Sequence, residues 1–225
     1  MSAGLACVIP AFDAAPTVAV VLARLRAAVP GATVIVVDDG SRDGTASAAV
    51  AGADVVVRHG ANRGKGAALR SGIRAALERG AEVVVTLDAD AQHPPEYVPA
   101  LVESLRDADI AIGARQRAGT AMPPQRRLSN WMSSAVVSVL AGQRVEDSQS
   151  GFRAFRRSVL VDVEPLGDRF DLETDLLVRA ARAGYRVASV PVPTVYAGTG
   201  SHFRPVRDTA LLVQAMVRLG FAGSR

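Results

Sequence analysis

Two aspartates stand one residue apart in TLDADAQHPPEY, residues 86–97, where the apolar run VVVTL ends. They are Asp88 and Asp90. With 15 aspartates in the chain, about one Asp-x-Asp is expected by accident, and a second pair serves as a control. Asp107 and Asp109 also make Asp-Ala-Asp, but they precede the apolar run IAIGA instead of following one. In an open parallel sheet, ligands gather beyond the carboxyl ends of the strands, so only Asp88 and Asp90 face a site. Residues i and i+2 leaving a strand point to one side, which lets one carboxylate take a ribose hydroxyl and the other a hard divalent cation. A cation held by few protein oxygens and by substrate phosphates is magnesium or manganese. Its work would be to neutralise charge on a departing diphosphate. Gln92 can add an oxygen ligand, and His93, before two prolines, reads as a turn residue.

Three further loops carry similar chemistry: PAFD after LACVI, DDGSRDGT after TVIVV, and GANRGKG after DVVV. Asp38 and Asp39 can accept from a base N–H or a ribose hydroxyl, and Gly40 and Gly44 allow a tight turn before a helix. GANRGKG has neither the Walker nor the Rossmann spacing. It still places glycines and Lys65 at a helix start, where free N–H groups and a cation favour an anion. Lys65 is the only lysine among 26 basic residues.

The elements that must position these loops follow from hydrophobic periodicity. Short runs rich in valine and isoleucine (LACVI, TVIVV, DVVV, EVVVTL, DIAIGA) alternate with amphipathic stretches (TVAVVLARLRAAV, GTASAAVA, GAALRSGIRAALERG, PEYVPALVESLRD). Such β-α alternation predicts a mostly parallel sheet covered on both faces, with all four loops on one edge. After residue 115 the order loosens. A loop through GTAMPPQ leads to a helix near 125–141, a short strand near FRAFRR, a helix near 171–183, and strand segments YRVASV and PTVY. Asp171, Glu173 and Asp175 read as acids complementing a helix start. SGFRAFRR, with a tight turn at Ser150 and Gly151, reads from its residues as a strand edge blunted by arginines.

At 225 residues and 23.4 kDa, the chain fits one domain with a sizeable core. Cys7, the single cysteine, lies inside LACVI and reads as a buried structural thiol; no internal disulfide can form, which suits the cytosol. MSAGLACVIPAF reads as a first strand, not a signal peptide. No run reaches the roughly 18 apolar residues of a membrane span. The net charge of +4 is uneven: residues 1–109 carry 10 basic and 13 acidic groups, 110–160 carry 8 and 2, and 161–225 carry 8 and 7. All eight basic residues of the middle segment are arginines, whose forked side chain grips phosphate or carboxylate. No nucleic-acid partner is expected.

Together VIPAFD, VIVVDDGSRDGT, NRGKGAALRSGI, LDADAQHPPE, GAR, DSQSGFRAFRR, ETDLLVRAARAGYRVASVPV and SHFRPVRD resemble family 2 glycosyltransferases of the A-type fold. The dolichol-phosphate mannosyltransferase and polyprenyl-phosphate glycosyltransferase branch is the nearest in pattern, over almost the whole chain. The resemblance implies an α/β, single-domain fold over 1–225, with a nucleotide-binding half (1–114) and an acceptor-binding half (115–225). It implies a GDP- or UDP-sugar donor bound by Pro10, Phe12, Asp38, Asp39, Lys65, Asp88 and the backbone at Ala89. Magnesium or manganese would sit on Asp90 and Gln92. A lipid-phosphate acceptor would be held by Arg115, by Arg126 or Arg127, and by Ser129, inside the arginine-rich segment. Asp90 and these arginines would carry the catalysis. Where the family usually has Tyr-Asn-Glu this chain has Phe12, Asp13 and Ala14, which leaves the donor base open.

Metal-dependent, inverting transfer to a polyprenyl or dolichyl phosphate at the cytoplasmic face of a membrane is the expectation, by peripheral contact or through a membrane-protein partner. The apolar helix pattern TALLVQAMVRLGF, 209–221, is one surface for such contact, and His202 could approach the diphosphate. Three rivals differ in kind. A sugar-hydroxyl acceptor would need a base, such as Asp147 or Asp175. A nucleotidyltransferase would carry its glycine- and lysine-rich loop directly after the first strand, where this chain has PAFDAAP. A non-catalytic nucleotide-sugar binding module would bind without turnover.

Overall fold

The computed structural model describes residues 4–115, 124–163 and 172–193, with the helix backbone alone for 124–128. His202, the PTVY strand segment and the 209–221 helix pattern lie outside the described residues.

The alternation read from the sequence is realised as β1 (Leu5–Ala11), α1 (Ala15–Ala28), β2 (Thr33–Asp38), α2 (Thr45–Val50), β3 (Val55–Arg58), α3 (Lys65–Glu78) and β4 (Val83–Thr86). A 3₁₀ turn at Pro95–Tyr97, α4 (Val98–Ser104) and β5 (Ile110–Arg115) follow. PEYVPALVESLRD, one amphipathic stretch in the sequence, is thus a turn and a helix. Pro99 falls in the first turn of α4, where its missing N–H costs nothing. The chain continues through α5 (Pro124–Ala141), β6 (Arg153–Arg156), α6 (Arg157–Asp162), α7 (Leu172–Arg182) and β7 (Val187–Val192).

One seven-stranded sheet results, in the order β3-β2-β1-β4-β6-β5-β7. All neighbours are parallel except at β6, which runs antiparallel to both β4 and β5. FRAFRR is therefore an interior strand and not a blunted edge. Because successive residues of a strand point to opposite faces, β1 feeds two cores. Leu5, Cys7 and Ile9 pack with Val18, Leu22 and Leu25 of α1 on one face. Ala6 and Val8 pack with Ala68, Leu69 and Ala76 of α3 on the other. A third cluster joins Ile110, Ile112 and Phe155 to Val137 of α5 and Leu176 and Leu177 of α7. Cys7 is fully buried, and burial pushes its thiol up to about 12, so it stays protonated and inert.

Reversal of β6 has a local effect on what reaches the functional edge. A parallel strand delivers the loop after it to the carboxyl edge of the sheet. An antiparallel strand delivers the loop before it, so residues 147–152 arrive beside the four loops that follow β1 to β4.

Candidate functional site

The four loops do meet on one edge, and backbone-to-side-chain hydrogen bonds lace them together. Ser41 Oγ accepts from Asp13 N at 3.0 Å, Asp13 Oδ1 accepts from Arg42 N at 2.9 Å, and Thr45 Oγ1 accepts from Ala14 N at 2.8 Å. Gly40, at φ +76°, takes a backbone shape that L side chains resist, and a Cβ there would lie 2.5 Å from the backbone of Ala61. That close approach joins the loop after β2 to the loop after β3.

Asp38 and Asp39, adjacent in sequence, have different work. Asp38 Oδ1 accepts from Ser41 N at 3.0 Å, with Arg58 Nε 3.5 Å from Oδ2. Asp39 is buried and takes three donors: Gly64 N at 2.7 Å, Arg63 N at 3.0 Å and the His59 ring nitrogen Nδ1 at 2.6 Å. Sequence reasoning expects both on the donor. In the structure the Asp39 oxygens hold the 59–64 loop, and with it the start of α3. Pro10 ends buried within β1, and Phe12, just beyond it, is exposed at the same edge.

Lys65, the first residue of α3, lies in the floor of the site. Its Nζ is 2.6 Å from Asp88 Oδ1 and 3.0 Å from Glu173 Oε2. Burial works against the ammonium charge, but the two carboxylates outweigh it and its pKa rises. Burial likewise pushes against Asp88, which Lys65, with a smaller part from His93, holds below the usual carboxylate range. Gly151, from the loop before β6, closes over this pair: a Cβ there would stand 2.7 Å from both Asp88 Oδ2 and Lys65 Nζ. Only glycine fits.

Asp90 has the opposite electrostatics. Burial, and then the charge of Asp88, push its carboxyl up, and its Oδ1 accepts only the local bond from Gln92 N at 3.0 Å. A carboxylate destabilised by a neighbouring carboxylate is the setting a divalent cation relieves. Asp90 and the Gln92 amide are oxygen donors, which fits magnesium or manganese. Among the described residues no three His, Cys, Asp or Glu side chains group to hold an ion. Ala89 is buried between the two acids. His93 is also buried: its ring packs on Phe152 at 5.6 Å, and its Nδ1 has no hydrogen-bond partner. Burial lowers its pKa despite Asp88 and Asp90.

Arg115 ends β5. Its Nε and one terminal nitrogen donate to the two oxygens of Asp147 at 2.6 and 2.9 Å, a forked pair. Burial would raise the Asp147 carboxyl, but the hydrogen bonds and charge of Arg115 win and hold it below the usual range. Asp175 sits in α7, with Arg179 Nε 3.1 Å from its Oδ1. Ser129 lies half-buried in α5, while the side chains of Arg126 and Arg127 are outside the described residues.

Sequence reasoning missed two residues that organise the site. Glu173, read as a helix-start acid, reaches Lys65. Arg153 of β6 is turned inward and fully buried, donating to the carbonyls of Ser148 (2.7 Å), Ser150 (2.8 Å) and Glu173 (2.5 Å). It thereby ties the 147–151 loop to the start of α7.

Comparison with known proteins shows the family. Residues 6–163 match the glycosyl transferase family 2. The chain is 36% identical over 199 residues to the undecaprenyl-phosphate mannosyltransferase of Micrococcus luteus, covering 84% of this chain and 82% of that protein. It is 33% identical over 198 residues to the polyprenol monophosphomannose synthase of Mycolicibacterium smegmatis, covering 82% and 75%. Among solved structures, glucosyl-3-phosphoglycerate synthase from Mycobacterium tuberculosis, in complex with Mn²⁺, uridine diphosphate and phosphoglyceric acid, superposes with a TM-score of 0.73. The match covers 97% of this chain and 77% of that one at 22% identity, a likeness of fold.

Proposed function

Because this chain belongs to glycosyl transferase family 2, and is a glycosyltransferase of the A-type fold, we propose that it transfers a sugar from a nucleotide-sugar donor to a polyprenyl phosphate, with inversion. Residues 1–114 take the donor and 115–225 the acceptor. Pro10, Phe12, Asp38, Lys65, Asp88 and the Ala89 backbone receive the nucleotide end, with Asp39 supporting them through the 59–64 loop. Asp90 and Gln92 would hold magnesium or manganese, which supplies charge neutralisation at the diphosphate.

One observation carries the choice of acceptor. Asp147, a carboxylate beside the site that could have served as a general base, is bound through both oxygens by Arg115 and held in its ionised, weakly basic form. A hydroxyl acceptor needs a base. A phosphate arrives ionised and needs cations instead, which the arginines at 126 and 127 would supply together with Arg115, whose pair with Asp147 leaves it a remaining N–H donor, while the Ser129 hydroxyl would donate a hydrogen bond. An acceptor phosphate oxygen forms a bond to the anomeric carbon as the bond from that carbon to the diphosphate breaks. The electron pair leaves on the nucleoside diphosphate, and no proton moves. Positioning and charge neutralisation do the catalytic work. The relatives named for undecaprenyl-phosphate and polyprenol substrates support the same assignment.

The test offers GDP-mannose and UDP-glucose in turn, each with undecaprenyl phosphate, undecaprenol or phosphoglyceric acid and with manganese present. Product with undecaprenyl phosphate alone is the expected result. Transfer to undecaprenol or phosphoglyceric acid, with none to the lipid phosphate, would overturn the reading.

A further inference from the structure

Arg153 is a cation that no step of the transfer uses. It is 1% exposed, on an interior strand, and each of its three nitrogens donates to a main-chain carbonyl: Nε to Ser150 at 2.8 Å, one terminal nitrogen to Glu173 at 2.5 Å and the other to Ser148 at 2.7 Å. Burial lowers its pKa against the charges of Glu173, Asp147 and Asp88, yet an arginine remains protonated. Taking such a charge out of water is costly. Its effect is geometric: one planar fork holds three carbonyls in fixed relation, which neither a neutral side chain nor an ammonium reproduces.

Each of those carbonyls stands next to a group of the site. Ser148 follows Asp147, whose carboxylate takes the fork of Arg115. Ser150 precedes Gly151, which lies so close over Lys65 and Asp88 that a Cβ would stand 2.7 Å from each. Glu173 reaches Lys65 with its side chain at 3.0 Å, and Lys65 reaches Asp88 at 2.6 Å. The guanidinium on the acceptor side and the ion pair on the donor side are therefore both built outward from Arg153. The segment between them has little slack. Ser148 N donates to Ser134 Oγ at 3.1 Å, Thr86 Oγ1 to the Gly151 carbonyl at 3.0 Å, and Gly113 N to the Phe152 carbonyl at 2.8 Å.

The geometry points to Arg153 as a positioning residue for the transfer: touching neither substrate, it fixes the distance between Arg115 and the Lys65–Asp88 pair, and with it the line along which an acceptor phosphate meets the anomeric carbon. This role rests on the phosphate-acceptor reading above. A misplacement of about 1 Å costs about a hundredfold in rate. Water needs no guanidinium to hold it, so loss of the alignment slows transfer and spares hydrolysis. In hydrolysis a water oxygen bonds to the anomeric carbon, the nucleoside diphosphate leaves with the electron pair, and a proton passes to solvent.

Arg153→Lys keeps the charge and removes the fork. The full chain is given manganese, undecaprenyl phosphate and, in turn, GDP-mannose and UDP-glucose, and glycolipid and free sugar are measured in the same reaction. Their ratio does not depend on how much of the protein is folded. With Arg153→Lys it should fall about a hundredfold, while KM for donor and for acceptor stays within about threefold of wild type. Thr86→Val, which removes the hydrogen bond to the Gly151 carbonyl, should lower the same ratio about fivefold, and it decides the matter if Arg153→Lys does not fold. Ratios at the wild-type value, with transfer and hydrolysis falling together, would make Arg153 an ordinary core residue and overturn the proposal. So would a loss confined to the acceptor KM. A wild type that hydrolyses donor and makes no glycolipid would sink the acceptor reading, and this role with it, before any variant is made.

Discussion

Lys65→Met tests whether the floor of the site is an electrostatic unit. Lys65 lies 2.6 Å from one carboxylate and 3.0 Å from another, so its removal leaves Asp88 and Glu173 facing each other without a cation. Breaking a fully buried pair costs about 3 to 5 kcal/mol. Here the side chains of Lys65, Asp88 and Glu173 are 21, 27 and 14% exposed. Water recovers part of the loss, which brings the cost to about 2 to 3 kcal/mol. For a chain of this size that corresponds to a fall in Tm of about 4 to 12 °C.

The pH dependence supplies the sharper test, because its sign reverses. In the wild type the Asp88 pKa is depressed. Its contribution is therefore complete above the unfolded value of about 3.9 and is lost only as pH falls through the lower folded one. In Lys65→Met, burial and the facing Glu173 side chain raise the folded pKa of Asp88. Its ionisation then destabilises the fold, and the loss grows as pH rises through that raised value. The gap in Tm between wild type and variant should narrow from pH 7.5 to pH 5. Thermal unfolding by circular dichroism, with a chelator present, measures it. A gap that stays constant or widens toward pH 5 would refute the argument, as would a variant as stable as the wild type at pH 7.5.

Three further outcomes follow from the same geometry. Asp90→Asn should abolish manganese-dependent binding of a nucleoside diphosphate in titration calorimetry, whereas Asp107→Asn, exposed at the opposite end of the sheet, should bind like wild type. Arg115→Ala should weaken use of polyprenyl phosphate by about 2 to 4 kcal/mol in kcat/KM while donor affinity barely changes, and Arg115→Lys should recover only part, since a point charge lacks the fork. Arg153→Met should cost about 3 to 5 kcal/mol in denaturant unfolding, because three carbonyls lose a charged donor inside the core.

The first half of the fold was legible because every strand from β1 to β5 is a valine- or isoleucine-rich run separated by a helix with a clear apolar stripe. The four loops could be placed on one edge by that alternation alone, and Asp88 and Asp90 could be told from Asp107 and Asp109 by which end of a strand they occupy. The second half gave less. RAFR is four residues long, and nothing in it states that its neighbours are β4 and β5 or that it runs backwards. Arg153 reads as a surface residue because charge normally is, yet three carbonyls make its burial tolerable. Glu173 meets Lys65 across more than a hundred residues of sequence, beyond the reach of any local pattern. Asp38 and Asp39 were indistinguishable as letters. Only the loop folded over Asp39 separates their roles. α5 divides its apolar residues, with Val137 and Ala141 buried in the core and Trp131, Met132 and Val139 exposed, a division no local pattern states.

The reversed central strand also dictates an order of assembly. β5 cannot join β4 directly, since β6, which the ribosome delivers some forty residues after β5 begins, must slide between them. Until then the partial sheet β3-β2-β1-β4 ends in an open row of unpaired amides on β4, the kind of edge that recruits a stranger's strand. The long loops that β6 must close are slow to form, so this insertion is the step at which nascent chains are most exposed to aggregation. Residues 1–114 made alone would hold β4 and all but the last residue of β5 while lacking β6, the strand that lies between them.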